Sequence, residues 1–162
     1  MRDAAKLMPR RTIFAVLAAI LCLPLPAFAK EAPVNSQLKG NALRDWFSAK
    51  TAISGSRAFI GIKEQLFAEH HNSNGTTDYK EPGVPTAAGQ WSLEGDDKIC
   101  YKYPGIDELN GTHCFFVFYG GNGCYYNFGR RAMSPSGPRN WDAWTSRFVI
   151  KGEGGTCGAW VG

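Results

Sequence analysis

Among the 162 residues of this chain, three histidines, five cysteines and scattered carboxylates have the widest chemical reach. His70 and His71 are adjacent, so on a strand their rings leave opposite faces and cannot easily hold one metal ion together. His113 could join one of them only through a tertiary contact. Metal sites need clustered ligands, and these three read more simply as solvent-exposed turn histidines. Asp96 with Asp97, and Glu64 with Glu69, read as solvated turn and strand carboxylates rather than as an acid–base pair. No Gly-x-Ser-x-Gly elbow occurs, which removes that class of hydrolase. The glycine clusters Gly120, Gly121, Gly123 and Gly152, Gly154, Gly155 precede neither Lys-Ser/Thr nor a helical pattern, so they read as turns and not as phosphate loops. No catalytic residue, metal ligand or cofactor is expected from these patterns.

Cys22 falls in a segment that does not belong to the folded domain. Arg2, Lys6, Arg10 and Arg11 precede an apolar run from Ile13 to Leu23, and Pro24 and Pro26 cut that run short of the roughly 20 residues a membrane span requires. Pro26-Ala27-Phe28-Ala29 then sets small residues where a signal peptidase reads. Residues 1–29 are therefore expected to be a signal peptide cleaved before Lys30, leaving a periplasmic or secreted chain of 133 of the 162 residues. That chain keeps 14 of the 18 basic and 13 of the 14 acidic residues, a net charge of +1. No dense basic stripe remains for nucleic acid.

Cleavage also leaves an even set of cysteines, Cys100, Cys114, Cys124 and Cys157, in an oxidising compartment. Two disulfides are expected, and three pairings are possible. Cys100 with Cys114 and Cys124 with Cys157 is preferred, because the first pair flanks what looks like a hairpin loop, Tyr103 to Asn110. Closing such a loop stabilises by about 3 kcal/mol on the chain-entropy model. The closest pair in sequence is ten residues apart, unlike a C-x-x-C zinc knuckle, and no thiol is left over as a nucleophile.

The elements that position these residues follow from periodicity. Residues 30–36 are polar and read as a flexible leader, so the single ordered domain is expected over 37–162. Leu38, Ala42, Leu43, Trp46 and Phe47 recur at helical spacing. After Ser54-Gly55-Ser56 the pattern changes to short strands: Ala58 to Phe67, Thr76 to Lys80, Gln90 to Glu94, Lys98 to Tyr103, Thr112 to Tyr119, Cys124 to Phe128 and Trp144 to Lys151. Asn74-Gly75 is a hairpin turn signal, and Gly95-Asp96-Asp97 and Gly120-Gly121-Asn122-Gly123 mark two more. In the last strand Trp144, Phe148 and Ile150 are expected on one face. The predicted fold is mainly β, a small antiparallel up-and-down barrel or sandwich with one N-terminal helix and two disulfides.

The order of these pieces carries a resemblance. A helix leading into Lys50-Thr51, the turn Asn74-Gly75-Thr76, then Gly89-Gln90-Trp91-Ser92-Leu93, Lys98-Ile99-Cys100 and Cys114 resembles the small secreted proteobacterial proteins grouped as domain of unknown function 995. The likeness spans most of residues 38–150 and leaves Cys124 and Cys157 outside. It implies an exported β-rich domain and brings no activity with it. Ala88 to Leu93 ahead of a cysteine is also similar to the start of the periplasmic inhibitors of secreted metalloproteases, small disulfide-bonded barrels whose N-terminal segment enters the protease cleft. Here Lys30 to Gln37 would be that segment.

Aromatic density is the remaining feature. If the strands alternate, Ile99, Tyr101 and Tyr103 share one face with Cys100 opposite, and Phe115-Phe116 and Tyr125-Tyr126 each send one ring inward and one outward. An outward row drawn from Tyr101, Tyr103, Tyr119, Tyr125 and Tyr126 is a candidate ligand-binding surface, with core filling and cross-strand pairing as the simpler use of the same rings. The expected function is a non-catalytic barrel in the periplasm or outside the cell that binds a small ligand or an envelope protein. Neither nucleic acid nor stable membrane insertion is expected. A periplasmic protease inhibitor and an enzyme with a polar pocket are the alternatives.

Overall fold

Turn residues recur at short intervals after residue 72, and each one folds the chain back on the strand before it. The computed structural model describes residues 34–48, 51–59, 62–83, 85–106 and 110–158, with side chains outside 51–65. The expected signal peptide and the first residues of the leader lie outside the described residues. A two-residue strand β1 (Ser36–Gln37) and the helix α1 (Gly40–Phe47) lead into β2 (Thr51–Phe59), β3 (Ile62–His71), β4 (Thr76–Lys80), β5 (Ala87–Glu94), β6 (Lys98–Lys102), β7 (His113–Gly121) and β8 (Cys124–Gly129). The small hairpin β9 (Met133–Ser134) and β10 (Gly137–Pro138) then precedes β11 (Ser146–Ile150).

Each strand from β2 to β8 pairs antiparallel with the next, and β11 inserts between β8 and β2. The pairings thus run round a ring of eight strands, the up-and-down order expected from the sequence. β6 stops short of the end of β7, and β1 takes over that edge by pairing Ser36 with Tyr119 and Gln37 with Phe118. Asn35 N–H and Leu38 N–H donate to the Tyr119 and Val117 carbonyls at 2.7 and 2.8 Å, so the docked segment already includes residues 35 and 36, which were expected in the leader. Glu31–Gly162 make one compact unit.

Turn chemistry fixes the register. In the β3–β4 turn the Asn74 side chain accepts from Thr76 N–H at 3.0 Å, a local bond that asparagine makes well. Between β7 and β8, Asn122 and Gly123 both hold positive φ, 52° and 68°, the geometry that suits a two-residue hairpin. Gly123 is needed for a second reason: a β-carbon there would lie 2.8 Å from the Gly154 carbonyl oxygen of the C-terminal segment.

Alternation divides the rings between two cores. Phe115, Val117, Tyr119 and Tyr125 point inward with Ile99, Tyr101, Trp91, Phe148 and Ile150. Phe116, Phe118, Tyr126 and Phe128 point outward, where Trp141, Trp144 and Met133 of the β8–β11 connection cover them. Trp144 therefore does not share a face with Phe148 and Ile150 as expected, because the strand begins only at Ser146 and the ring folds over Tyr126 instead. The helix closes one end of the barrel: Leu43 and Phe47, one turn apart, are fully buried, and the Phe47 ring lies 5.6 Å from that of Phe148.

Both preferred disulfides form, Cys100–Cys114 and Cys124–Cys157. The first joins directly opposed residues of β6 and β7, and the second ties the C-terminal segment to β8. Among the described residues no helix is long and apolar enough to cross a membrane.

Candidate functional site: a polar network inside the barrel

Among the described residues the inner face is mainly apolar and aromatic, and a polar group gathers on β3 and β4 beside Tyr101 and Tyr103. Phe67, Glu69 and His71 alternate on β3, so all three project inward, and register sets Glu69 opposite Tyr79 and His71 opposite Thr77. Glu69 is 6 % exposed and His71 and Thr77 1 % each. The Thr77 hydroxyl lies 2.9 Å from Glu69 Oε1 and 2.8 Å from the His70 carbonyl oxygen. The Tyr103 hydroxyl donates to the same Glu69 Oε1. His71 Nε2 is 2.9 Å from the Tyr101 hydroxyl and 4.0 Å from Glu69 Oε2. Rings close over the network, with Phe47 5.2 Å and Trp91 5.8 Å from the imidazole.

Burial disfavours the charged carboxylate and raises the Glu69 pKa from 4.5 to about 7, against the opposing pull of the Tyr103 and Thr77 hydrogen bonds. Burial also pushes the Tyr101 and Tyr103 hydroxyls well above their ordinary range, with the Glu69 charge adding to it, so both stay protonated. A carboxyl that exchanges its proton near neutrality can act as an acid, a base or a switchable acceptor.

Gly89 makes room for this arrangement. It lies opposite Thr77, and a β-carbon on it would sit 2.5 Å from the Tyr103 ring. Gly89→Ala should push the ring off Glu69 and cost about 1–3 kcal/mol, the usual range for overpacking. Urea denaturation reads this, and an unchanged midpoint would show that the ring has another place to go.

A second set of buried polar atoms lies apart from this network. Asn127, 6 % exposed, donates from Nδ2 to Ser146 Oγ at 2.9 Å while its Oδ1 has no partner. His113 Nε2 is buried and without a partner as well.

Several expectations need correction at this point. His71 is not a turn histidine in solvent, because the β3 strand continues to residue 71 and turns it inward. Glu69 is not solvated for the same reason of parity. The outward aromatic row is absent: Tyr101, Tyr103, Tyr119 and Tyr125 belong to the inner core, and Tyr126 is buried in the outer one. Tyr101 and Tyr103 do take part in the polar network, through their hydroxyls. The parity of Phe67, Glu69 and His71 could have placed the acid and the imidazole on one face; what it could not show was which face is inside.

No family model, no curated protein and no solved structure matches the chain. The groups themselves must therefore carry the functional argument.

Two other places on the surface compete with the interior. A groove of about 560 Å³ runs outside β7, lined by Gln37, Lys39, Asp97, Phe116 and Ser134 among others. Its size suits a small ligand, yet Phe118 at its floor is already packed under Trp141. The atoms of Glu94, Cys100 and Cys114 that could ligate a metal lie within 4.8 Å of one another, but the two sulfurs are bonded together and offer no thiolate.

Proposed function

We propose that the protein is an exported, non-catalytic barrel of the cell envelope that binds a small ligand on its inner face, at Glu69, His71, Thr77, Tyr101 and Tyr103. The observation that carries this reading is a carboxyl buried among aromatic rings. Removing an ionisable group from water costs several kcal/mol unless something there uses it, and such groups concentrate at binding and catalytic sites. Eight-stranded barrels enclose just enough space for side chains or one small ligand. Export draws its support from the charged, apolar and small-residue pattern of residues 1–29 and from two disulfides, which persist in oxidising compartments.

The alternatives fare differently. Inhibition by Lys30 to Gln37 would require a segment that enters a protease cleft, whereas its last residues are hydrogen-bonded to β7. An acid–base enzyme would draw on the same Glu69 and His71, and conversion of the bound species rather than its retention would favour that reading.

Native mass spectrometry of protein purified from the export compartment without denaturation tests the reading. A bound species of a few hundred daltons is expected on the wild type at the scale of drug-sized ligands, and it should be lost or much reduced in Glu69→Gln and Tyr103→Phe. An equal adduct on folded Glu69→Gln would move the site elsewhere. A bare protein that also shows no thermal shift with a small-molecule panel would overturn ligand binding altogether.

A further inference from the structure

Glu94 is held in a position that the disulfide beside it does not explain. Its Oε2 lies 3.5 Å from Cys114 Sγ and 3.9 Å from Cys100 Sγ. A disulfide sulfur carries no proton, so neither contact is a hydrogen bond in the oxidised protein. The other carboxylate oxygen, Oε1, is 3.0 Å from Lys98 Nζ, and Lys98 is in turn 3.6 Å from Asp97. The lysine thus contacts one carboxylate oxygen while the other faces two sulfurs, the place of an outer partner beside a potential ligand.

We propose that reduction of Cys100–Cys114 creates a zinc site in which the two thiolates and Glu94 are the protein ligands. With Zn–S near 2.3 Å and Zn–O near 2.1 Å in a tetrahedral arrangement, sulfur and oxygen should be about 3.6 Å apart. The two distances found, 3.5 and 3.9 Å, already match this. The sulfurs must separate to about 3.8 Å once their bond is broken, and the exposed Glu94 side chain follows them. Cys100 and Cys114 are directly opposed on β6 and β7, so side-chain rotation alone opens that gap while the strand ladder holds the backbone. Cys100 is buried and Glu94 is exposed, which leaves the fourth position of the ion facing water.

The chemistry balances with a dithiol as reductant. The dithiol transfers two electrons and two protons, becoming a disulfide as Cys100 and Cys114 become thiols. Zinc then displaces both thiol protons; a disulfide oxidant that takes two electrons from the thiolates, itself becoming two thiolates, restores Cys100–Cys114 and releases the ion. Chain spacing conceals the set, because the ligands meet across three strands and not within one knuckle.

The test uses the full chain, reduced with a phosphine that competes weakly for metal, with and without one equivalent of zinc. One zinc per reduced chain is expected and none per oxidised chain, with a higher thermal midpoint for the zinc-loaded form and a sulfur-to-metal charge-transfer band when cobalt replaces zinc. Cys114→Ser should abolish binding, Glu94→Gln should weaken it at least tenfold, and Cys124→Ser should leave it unchanged. The proposal is overturned if the reduced chain binds no zinc, if it stays unfolded with zinc present, if Glu94→Gln binds as tightly as the wild type, or if binding follows Cys124 instead of Cys114.

Discussion

Replacing Trp91 with alanine should destabilise the barrel by about 3–5 kcal/mol, the range for truncating a large buried ring. Trp91 is 5 % exposed on the inner face of β5, opposite Tyr101 and edge-on to His71. Its indole N–H donates to the Asn72 carbonyl at 2.8 Å, and its backbone N–H donates to Gly75 at the same distance. One side chain therefore joins the aromatic core to the β3–β4 turn. Alanine keeps the backbone bond but removes the ring, leaving a cavity and the Asn72 carbonyl with Gly75 N–H as its remaining donor. Urea denaturation followed by circular dichroism measures the loss, and the slope should hold constant if unfolding stays two-state. A shift under 1 kcal/mol would mean that neighbouring rings collapse into the space, and that the interior is softer than its ring contacts indicate.

How much of this was legible depends on distance along the chain. The local signals worked: Asn74-Gly75 and Asn122-Gly123 each end a strand where a turn needs positive φ or an asparagine bond. Leu43 and Phe47 gave the helix its buried stripe. The cysteine pairing followed from the hairpin between Cys100 and Cys114. The β2–β3 hairpin was missed because Ala58 to Phe67 reads as one strand, with Gly61 as the single turn-type residue inside it. Its two strands are told apart by pairing with each other and not by local pattern. Closure of the ring was also beyond local reading, since β11 finds β2 across some ninety residues of sequence. The inner network failed for a related reason. Glutamate and histidine are usually exposed, so Glu69 and His71 were assigned to solvent by type, while their parity with Phe67 said only that the three share a face. Tertiary closure decided which face that was.

The pH dependence of stability isolates Glu69 from the rest of the fold. Its carboxyl has a pKa of about 7 in the folded protein, raised by burial from the ordinary 4.5 that applies when the chain unfolds. Because the folded value is the higher one, the neutral carboxyl contributes fully below about pH 4.5, and its contribution is lost as the pH rises through 7. A rise of this size corresponds to about 3 kcal/mol. Glu69→Gln keeps the shape and the acceptor for Tyr103 but cannot ionise. At pH 5 the variant and the wild type should differ by less than about 1 kcal/mol, apart from any altered hydrogen bond. By pH 8 the variant should be the more stable, by an amount approaching about 3 kcal/mol. Comparing the two at each pH cancels the titration of remote groups and leaves those that face the carboxyl, which among the described residues include His71, Tyr101 and Tyr103. The two tyrosines stay protonated across this window, which leaves the imidazole as the neighbour to test among the described residues. The double variant Glu69→Gln with His71→Asn separates it. If the difference between wild type and Glu69→Gln stays flat from pH 5 to 8, the carboxyl does not change its charge there. The interior would then have to supply a cation that compensates it, and a neutral acid could no longer be counted as part of the binding surface.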